Sequence, residues 1–149
     1  MEDYFKKILQ AKVYEVAKKT PLEKANNLSK ALKNNIYLKR EDLQDVFSFK
    51  IRGAFNKMRQ LQQSQLTKGV ITSSAGNHAQ GVALSALKLK CRATILMPIT
   101  TPLVKVNAVR NLKATVILFG DNYDETYRKH YALVKKIIYV LFIHSMILR

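Results

Sequence analysis

Two short segments hold most of the residues able to do chemistry: Ser48-Phe49-Lys50-Ile51-Arg52-Gly53-Ala54 and Ser73-Ser74-Ala75-Gly76-Asn77-His78-Ala79-Gln80-Gly81. A lysine is a nucleophile only as its free amine, a form that desolvation favours, and such an amine captures an aldehyde as a Schiff base. Lys50 is the residue placed for that role, although on spacing alone a lysine in a first helical turn reads as a surface cation. The second segment is built from small residues, so a carboxylate or phosphate can come close to its backbone N–H groups. Taken singly, Asn77 reads as a helix cap and His78 as a structural imidazole. Other candidates carry less. His130 and His144 are far apart and lack companion ligands, which argues for no metal site. Glu41 and Asp42 are adjacent, so their carboxylates diverge and a glycosidase-type acid–base pair is unsupported. Cys91 is the single cysteine, which excludes an intramolecular disulfide and points to a reducing compartment.

The elements that must position these residues follow from periodicity. From residue 35 onward short β-rich runs alternate with helical patterns, as expected of βα units around a parallel sheet with helices on both faces. Four strands are expected, over residues 36–39, 70–73, 93–97 and 115–119. Between the first two, Ile51, Ala54, Phe55, Met58 and Leu61 form one stripe of an amphipathic helix that Ser48 is placed to cap. After the second strand the small-residue turn leads into a helix starting near Asn77, striped by Ala79, Val82, Ala83, Ala86 and Leu87. Both chemical segments therefore sit at helix starts, one of them directly after a strand. In open α/β sheets that is where ligands bind and where helix N-termini favour anions. Val104, Ala108, Val109 and Leu112 suggest a short helix, and Gly120-Asp121-Asn122 opens another that runs at least to Arg128. The first 34 residues, with helices near 4–9 and 26–32, belong to a neighbouring layer.

With 149 residues, 48% of them hydrophobic, the chain has material for one domain. Its formal net charge of +16 raises the possibility of an anionic partner. The cations are spread singly or in pairs from Lys6 to Lys39, with no block of five and no zinc-finger or RNP-type pattern, which speaks for a solvated surface and against specific nucleic-acid binding. The start, Met1-Glu2-Asp3, has no signal-peptide or transit-peptide character, and the cytoplasm is the expected location. Residues 137–143 are seven apolar residues in succession, too few for a membrane span of about 20. They read as a buried element end or a sticky tail.

Taken together, the two segments resemble the pyridoxal-phosphate-dependent threonine dehydratases, also called threonine ammonia-lyases, of the tryptophan-synthase-β-like fold. Lys39-Arg40-Glu41-Asp42-Leu43-Gln44 followed by Ser48 to Ala54 is similar to the family's cofactor-lysine signature, and Ser74 to Gly81 to its cofactor and substrate loop. The resemblance runs from about Asp3 to Arg128 and includes Val13-Tyr14-Glu15, Thr20-Pro21-Leu22, Met97-Pro98, Lys105 to Arg110 and Gly120 to Glu125. Ile51 after the lysine favours the dehydratase and serine racemase branch over cysteine and threonine synthases, which tend to have aspartate there. The Lys39–Gln44 run looks like the biosynthetic, isoleucine-pathway enzyme.

The resemblance implies pyridoxal 5′-phosphate as cofactor, held on Lys50, which would also take and return the substrate Cα proton. It implies Phe49 beside the cofactor ring and Asn77 at its 3′-oxygen. The substrate carboxylate of threonine would lie on the backbone of Ser74, Ala75, Gly76, Asn77 and His78. The products would be 2-oxobutanoate and ammonia, and the family is homo-oligomeric. Another serine/threonine dehydratase, a serine racemase, or a basic nucleic-acid-binding module are the alternatives.

The family also needs a glycine-rich phosphate loop and a later serine near the pyridine nitrogen, both downstream of the matched part. The five glycines here are Gly53, Gly69, Gly76, Gly81 and Gly120, and no two are adjacent. Residues 1–129 are therefore expected to be a partial catalytic domain of fold type II, the smaller domain plus the beginning of the larger, and 130–149 a divergent apolar tail. The chain is expected to be a truncated form, a gene remnant or a frame-shifted reading, inert by itself. A phosphate without its cradle loses charge-assisted hydrogen bonds worth about 1.5–3 kcal/mol each.

Overall fold

The computed structural model describes residues 3–136 and 140–141. The chain opens with α1 (Tyr4–Gln10), a 3₁₀ turn at Val13–Glu15, β1 (Leu22–Lys24), α2 (Asn26–Ala31), β2 (Tyr37–Lys39) and a second 3₁₀ turn at Glu41–Leu43. Then follow α3 (Lys50–Arg59), α4 (Gln63–Lys68), β3 (Val70–Ser73), α5 (Asn77–Lys88), β4 (Ala93–Met97), α6 (Leu103–Asn111), β5 (Thr115–Leu118), α7 (Tyr123–Lys136) and β6 (Val140–Leu141).

The main sheet is parallel throughout, in the order β5-β4-β3-β6. From β3 the chain moves outward through α5 to β4 and through α6 to β5, then returns through α7 to β6 on the far side of β3. Right-handed crossovers place α5 and α6 on one face of such a sheet and α7 on the other. The contacts agree, since both α5 and α7 pack on β3 and β4. The reversal of direction at β3 is the kind of switch point outside whose carboxyl end ligands bind. No helix among the described residues is long and apolar enough to cross a membrane.

The expected strand at 36–39 does not join this sheet. As β2 it pairs antiparallel with β1, Leu22 opposite Lys39 and Lys24 opposite Tyr37, in a separate ribbon. The physical reason is burial. All three residues of β2 are exposed, whereas every residue of β3 and β4 is buried, the continuous burial that a parallel strand covered on both faces requires. The short β1 and α4 carry too little periodic pattern to be expected from sequence. Of the apolar run 137–143, the backbone of Val140 and Leu141 pairs with Val70 and Ile71, and the remainder lies outside the described residues.

Two packed clusters hold the layers. Ala54 and Met58 of α3 meet Ala79, Val82, Ala83 and Ala86 of α5, together with Val70, Ala93, Ile95 and Met97 of the sheet. The adjacent face of α3, Ile51 and Phe55, packs on Val16, Ala17, Val46 and Leu84. Each valine, leucine, isoleucine, phenylalanine or methionine among them contributes about 1.5–3 kcal/mol when fully buried. Helix α3 is thus wedged between the leading segment and α5, and Lys50 stands at its first position.

Candidate active site

Backbone contacts fix the start of α3. The Lys50 N–H donates to Ser48 Oγ at 3.2 Å; the cap position itself is Phe49, one residue later than the expected Ser48, and carries no side-chain cap bond. On its other side the Lys50 peptide lies against α5. A Cβ placed on Gly81 would sit 3.1 Å from both the carbonyl carbon and the oxygen of Lys50, and 3.3 Å from Ile51 N. Any side chain there would need its neighbour to give by a few tenths of an ångström, and such a close backbone approach is a usual reason for a glycine inside a helix pattern. Asn77 is four residues before Gly81 and so shares its face, one turn of about 5.4 Å nearer the helix start. The two segments that stood out in the sequence are therefore brought together.

Lys50 is half-buried, and its Nζ lies 5.3 Å from the centroid of the Phe49 ring. That ring is 59% exposed, so it forms an open flank and not a buried wall. Among the described residues no carboxylate forms an ion pair with the Lys50 amine.

The turn after β3 differs from the expectation in one respect. The Ser74 N–H is already used, donating to Leu96 O at 3.0 Å to extend the sheet ladder, and the Gly76 N–H donates to Ser74 Oγ at 3.3 Å. Neither amide is left for a ligand. Gly76, Asn77 and His78 form the start of the twelve-residue α5, whose boundary residue Gly76 has no side-chain cap. The space where a Gly76 side chain would stand is open. Ser74 and His78 are buried, Ala75 and Gly76 half-buried, and Asn77 exposed.

Sequence reasoning missed a polar clamp on the first turn of α3. Arg52 donates from Nε to Glu41 Oε2 and from Nη2 to Glu41 Oε1, both at 2.8 Å, and Nη2 also reaches Lys18 O at 3.0 Å. Thr20 Oγ1 donates to Glu41 Oε1 at 2.5 Å and Gln44 Nε2 to Glu41 Oε2 at 3.2 Å. The Arg52 guanidinium, followed by the Thr20 and Gln44 bonds, outweighs burial and lowers the Glu41 pKa to about 2. Asp42 turns the other way, to Arg40, so the adjacent carboxylates diverge. Both ends of the Glu41–Arg52 pair stand within quoted motifs, but nothing in their spacing of eleven residues predicts the contact.

What these residues can hold is the aldehyde end of a cofactor. They offer an amine without a carboxylate partner among the described residues, an aromatic flank and a small-residue helix start, the donor set of enzymes that bind their cofactor through a lysine on an α/β scaffold. The chain belongs to the pyridoxal-phosphate dependent enzyme family, whose model matches residues 13–146. It is 63% identical over 123 residues to the biosynthetic threonine dehydratase of Arabidopsis thaliana chloroplasts, an alignment covering 83% of this chain and 21% of that protein. The processed threonine deaminase isoform 2 of Solanum lycopersicum superposes with a TM-score of 0.89 at 50% identity, covering 93% of this chain and 38% of that one. Serine racemase of Dictyostelium discoideum superposes at 0.83 with 28% identity, covering 93% and 46%. The chain spans about a fifth of the length of the curated dehydratase it matches.

Proposed function

We propose that this chain is the lysine-bearing part of a pyridoxal-phosphate-dependent threonine ammonia-lyase, which converts L-threonine to 2-oxobutanoate and ammonia. The observation that supports the reading is the close crossing of Gly81 over the Lys50 peptide, which brings the start of α3 against the first turns of α5. When bound, the cofactor supplies an electron sink for charge developing at the substrate Cα. Lys50 Nζ would hold the cofactor aldehyde and, once released, take and return the Cα proton. Asn77 would donate its amide toward the cofactor 3′-oxygen, and Phe49 would cover one side of the ring. With the Ser74 and Gly76 amides engaged, the substrate carboxylate would fall to the N–H groups of Ala75 and Asn77 at the positive end of α5, with His78 behind them.

Identity to the plant dehydratase supports threonine over serine as substrate, and the Lys39–Gln44 run supports the isoleucine pathway. The lone Cys91 suits a reducing compartment. We assign the cytoplasm, while the Arabidopsis relative is named chloroplastic. These residues supply no glycine-rich cradle for the phosphate, so the 149-residue chain alone is expected to turn over no threonine. Measurable 2-oxobutanoate from the purified chain would refute that point. The assignment itself is tested by incubating the chain with pyridoxal phosphate, reducing with borohydride and mapping the labelled peptides. Label concentrated on Lys50 is expected, and label elsewhere rejects the reading.

A further inference from the structure

We propose that Glu41, acting through Arg52, is a positioning residue for Lys50; the inference rests on the reading of Lys50 given above. Three stretches distant in sequence meet at the Glu41 carboxylate. Residues 18–20 supply the Thr20 hydroxyl and the Lys18 carbonyl, residues 41–44 supply Glu41 and Gln44, and α3 supplies Arg52. Gln44 closes the frame by accepting from Lys18 N–H at 2.8 Å and donating to Lys18 O at 2.9 Å. The Arg52 guanidinium also stands 5.5 Å from the Tyr14 ring.

This ion pair differs from four others among the described residues. The Glu41 and Arg52 side chains are 15% and 24% exposed, whereas the pairs of Lys18 with Asp45, Arg40 with Glu23 and Asp42, and Arg59 with Glu15 keep at least one partner near half exposed. Exposed pairs contribute little, and a bidentate, shielded one fixes geometry. Ser48 and Gly81 hold the Lys50 peptide, and the buried faces of α3 set its rotation as a whole. Arg52, two residues on and tied to the leading segment, adds a polar restraint on the first turn itself. A side-chain tip about 6 Å from the helix axis moves about 1 Å for each 10° of rotation, and misplacement on that scale costs on the order of 100-fold in reactivity. The clamp thus sets where the amine points.

The test compares wild-type chain with Glu41→Gln and Arg52→Lys, each verified as folded by circular dichroism. Each is treated with pyridoxal and borohydride, and the Lys50 label is measured relative to the other lysines of the same molecule. The expected result is a fall of about tenfold in the Lys50 share for both variants. A purely structural role would leave that share unchanged in any folded variant, and that result overturns the proposal. Should Glu41→Gln fail to fold, Thr20→Val removes one bond to the same carboxylate, and an unaltered Lys50 share in that variant likewise overturns it. A wild-type chain whose Lys50 takes no more label than its other lysines removes the functional reading and the proposal with it. Preferential wild-type labelling that survives the substitutions removes the proposal alone.

Discussion

Gly81 of α5 lies directly against the peptide that joins Lys50 to Ile51, so that an added methyl group would stand only 3.1 Å from the Lys50 carbonyl. The atoms it faces are backbone, which cannot swing aside as a flexible side chain would. A Gly81→Ala chain must therefore part α5 from α3 by a few tenths of an ångström, and such overpacking costs about 1–3 kcal/mol. Gly53 gives the control. It is exposed in the same α3 and nothing lies within 4 Å of the position its Cβ would take. Gly53→Ala is expected to stabilise the chain by about 0.5–1 kcal/mol through helix propensity. Urea unfolding of the two variants beside wild type measures both signs, and equal shifts would refute the close crossing.

Much of this arrangement was legible beforehand. Ile51, Ala54, Phe55 and Met58 announced α3, and all four are buried. The run Val70–Ser73 was recognisable as a strand, with its small-residue turn leading to Asn77. What could not be read was lateral. Tyr37–Lys39 has the residue types of a strand, yet its partner is decided by which faces are covered, a property of the assembled layers. The contact of Glu41 with Arg52 closes over 11 residues and that of Gln44 with Lys18 over 26, and neither leaves a local periodicity. Gly81 did carry a signal, a glycine inside an otherwise alanine-rich helix, but not the identity of the backbone it admits.

The Glu41 carboxylate makes stability depend on acid in a defined window. Its pKa falls from the ordinary 4.5 to about 2 in the folded chain, chiefly through Arg52. A lowered folded value means the stabilisation is complete above about 4.5 and is lost as the pH falls through 2. The contribution is at most on the order of 3 kcal/mol, since each pKa unit is worth about 1.4 kcal/mol and solvent screens part of the interaction. Urea midpoints of wild type should decline steeply between pH 5 and 2, and those of Glu41→Gln should start lower and decline less. Parallel curves would exclude Glu41 as the source.

Past the carboxyl end of the edge strand β5, Gly120 has φ of +73°, and a Cβ there would lie 2.6 Å from Glu125 Cβ. Two costs combine, the left-handed backbone and a clash with a side chain that itself accepts from Asp121 N–H and Asn122 Nδ2 at 3.0 Å each. Asn122 in turn accepts the Glu125 N–H at 3.0 Å, capping α7. Gly120→Ala should cost about 1–3 kcal/mol and fray the first turn of α7. Amide exchange of residues 123–126 that matches wild type would contradict this.

The charge of +16 leads to a prediction that separates affinity from function. Lysines spread over every part of the fold neutralise phosphates wherever a polyanion touches, so the chain should be retained by any duplex or single strand. Dissociation constants of about 10⁻⁴–10⁻⁶ M are typical of such sequence-indifferent contact. Retention measured against salt should fall along one slope for unrelated sequences, because released counterions carry the energy and base edges contribute nothing. Substituting Lys6 and Lys7, at the end of the chain away from α3, should reduce that slope by no more than about two contacts while leaving pyridoxal labelling of Lys50 unchanged. A single sequence bound with much higher affinity than the rest, lost on removing particular lysines, would instead make the basic surface a site in its own right.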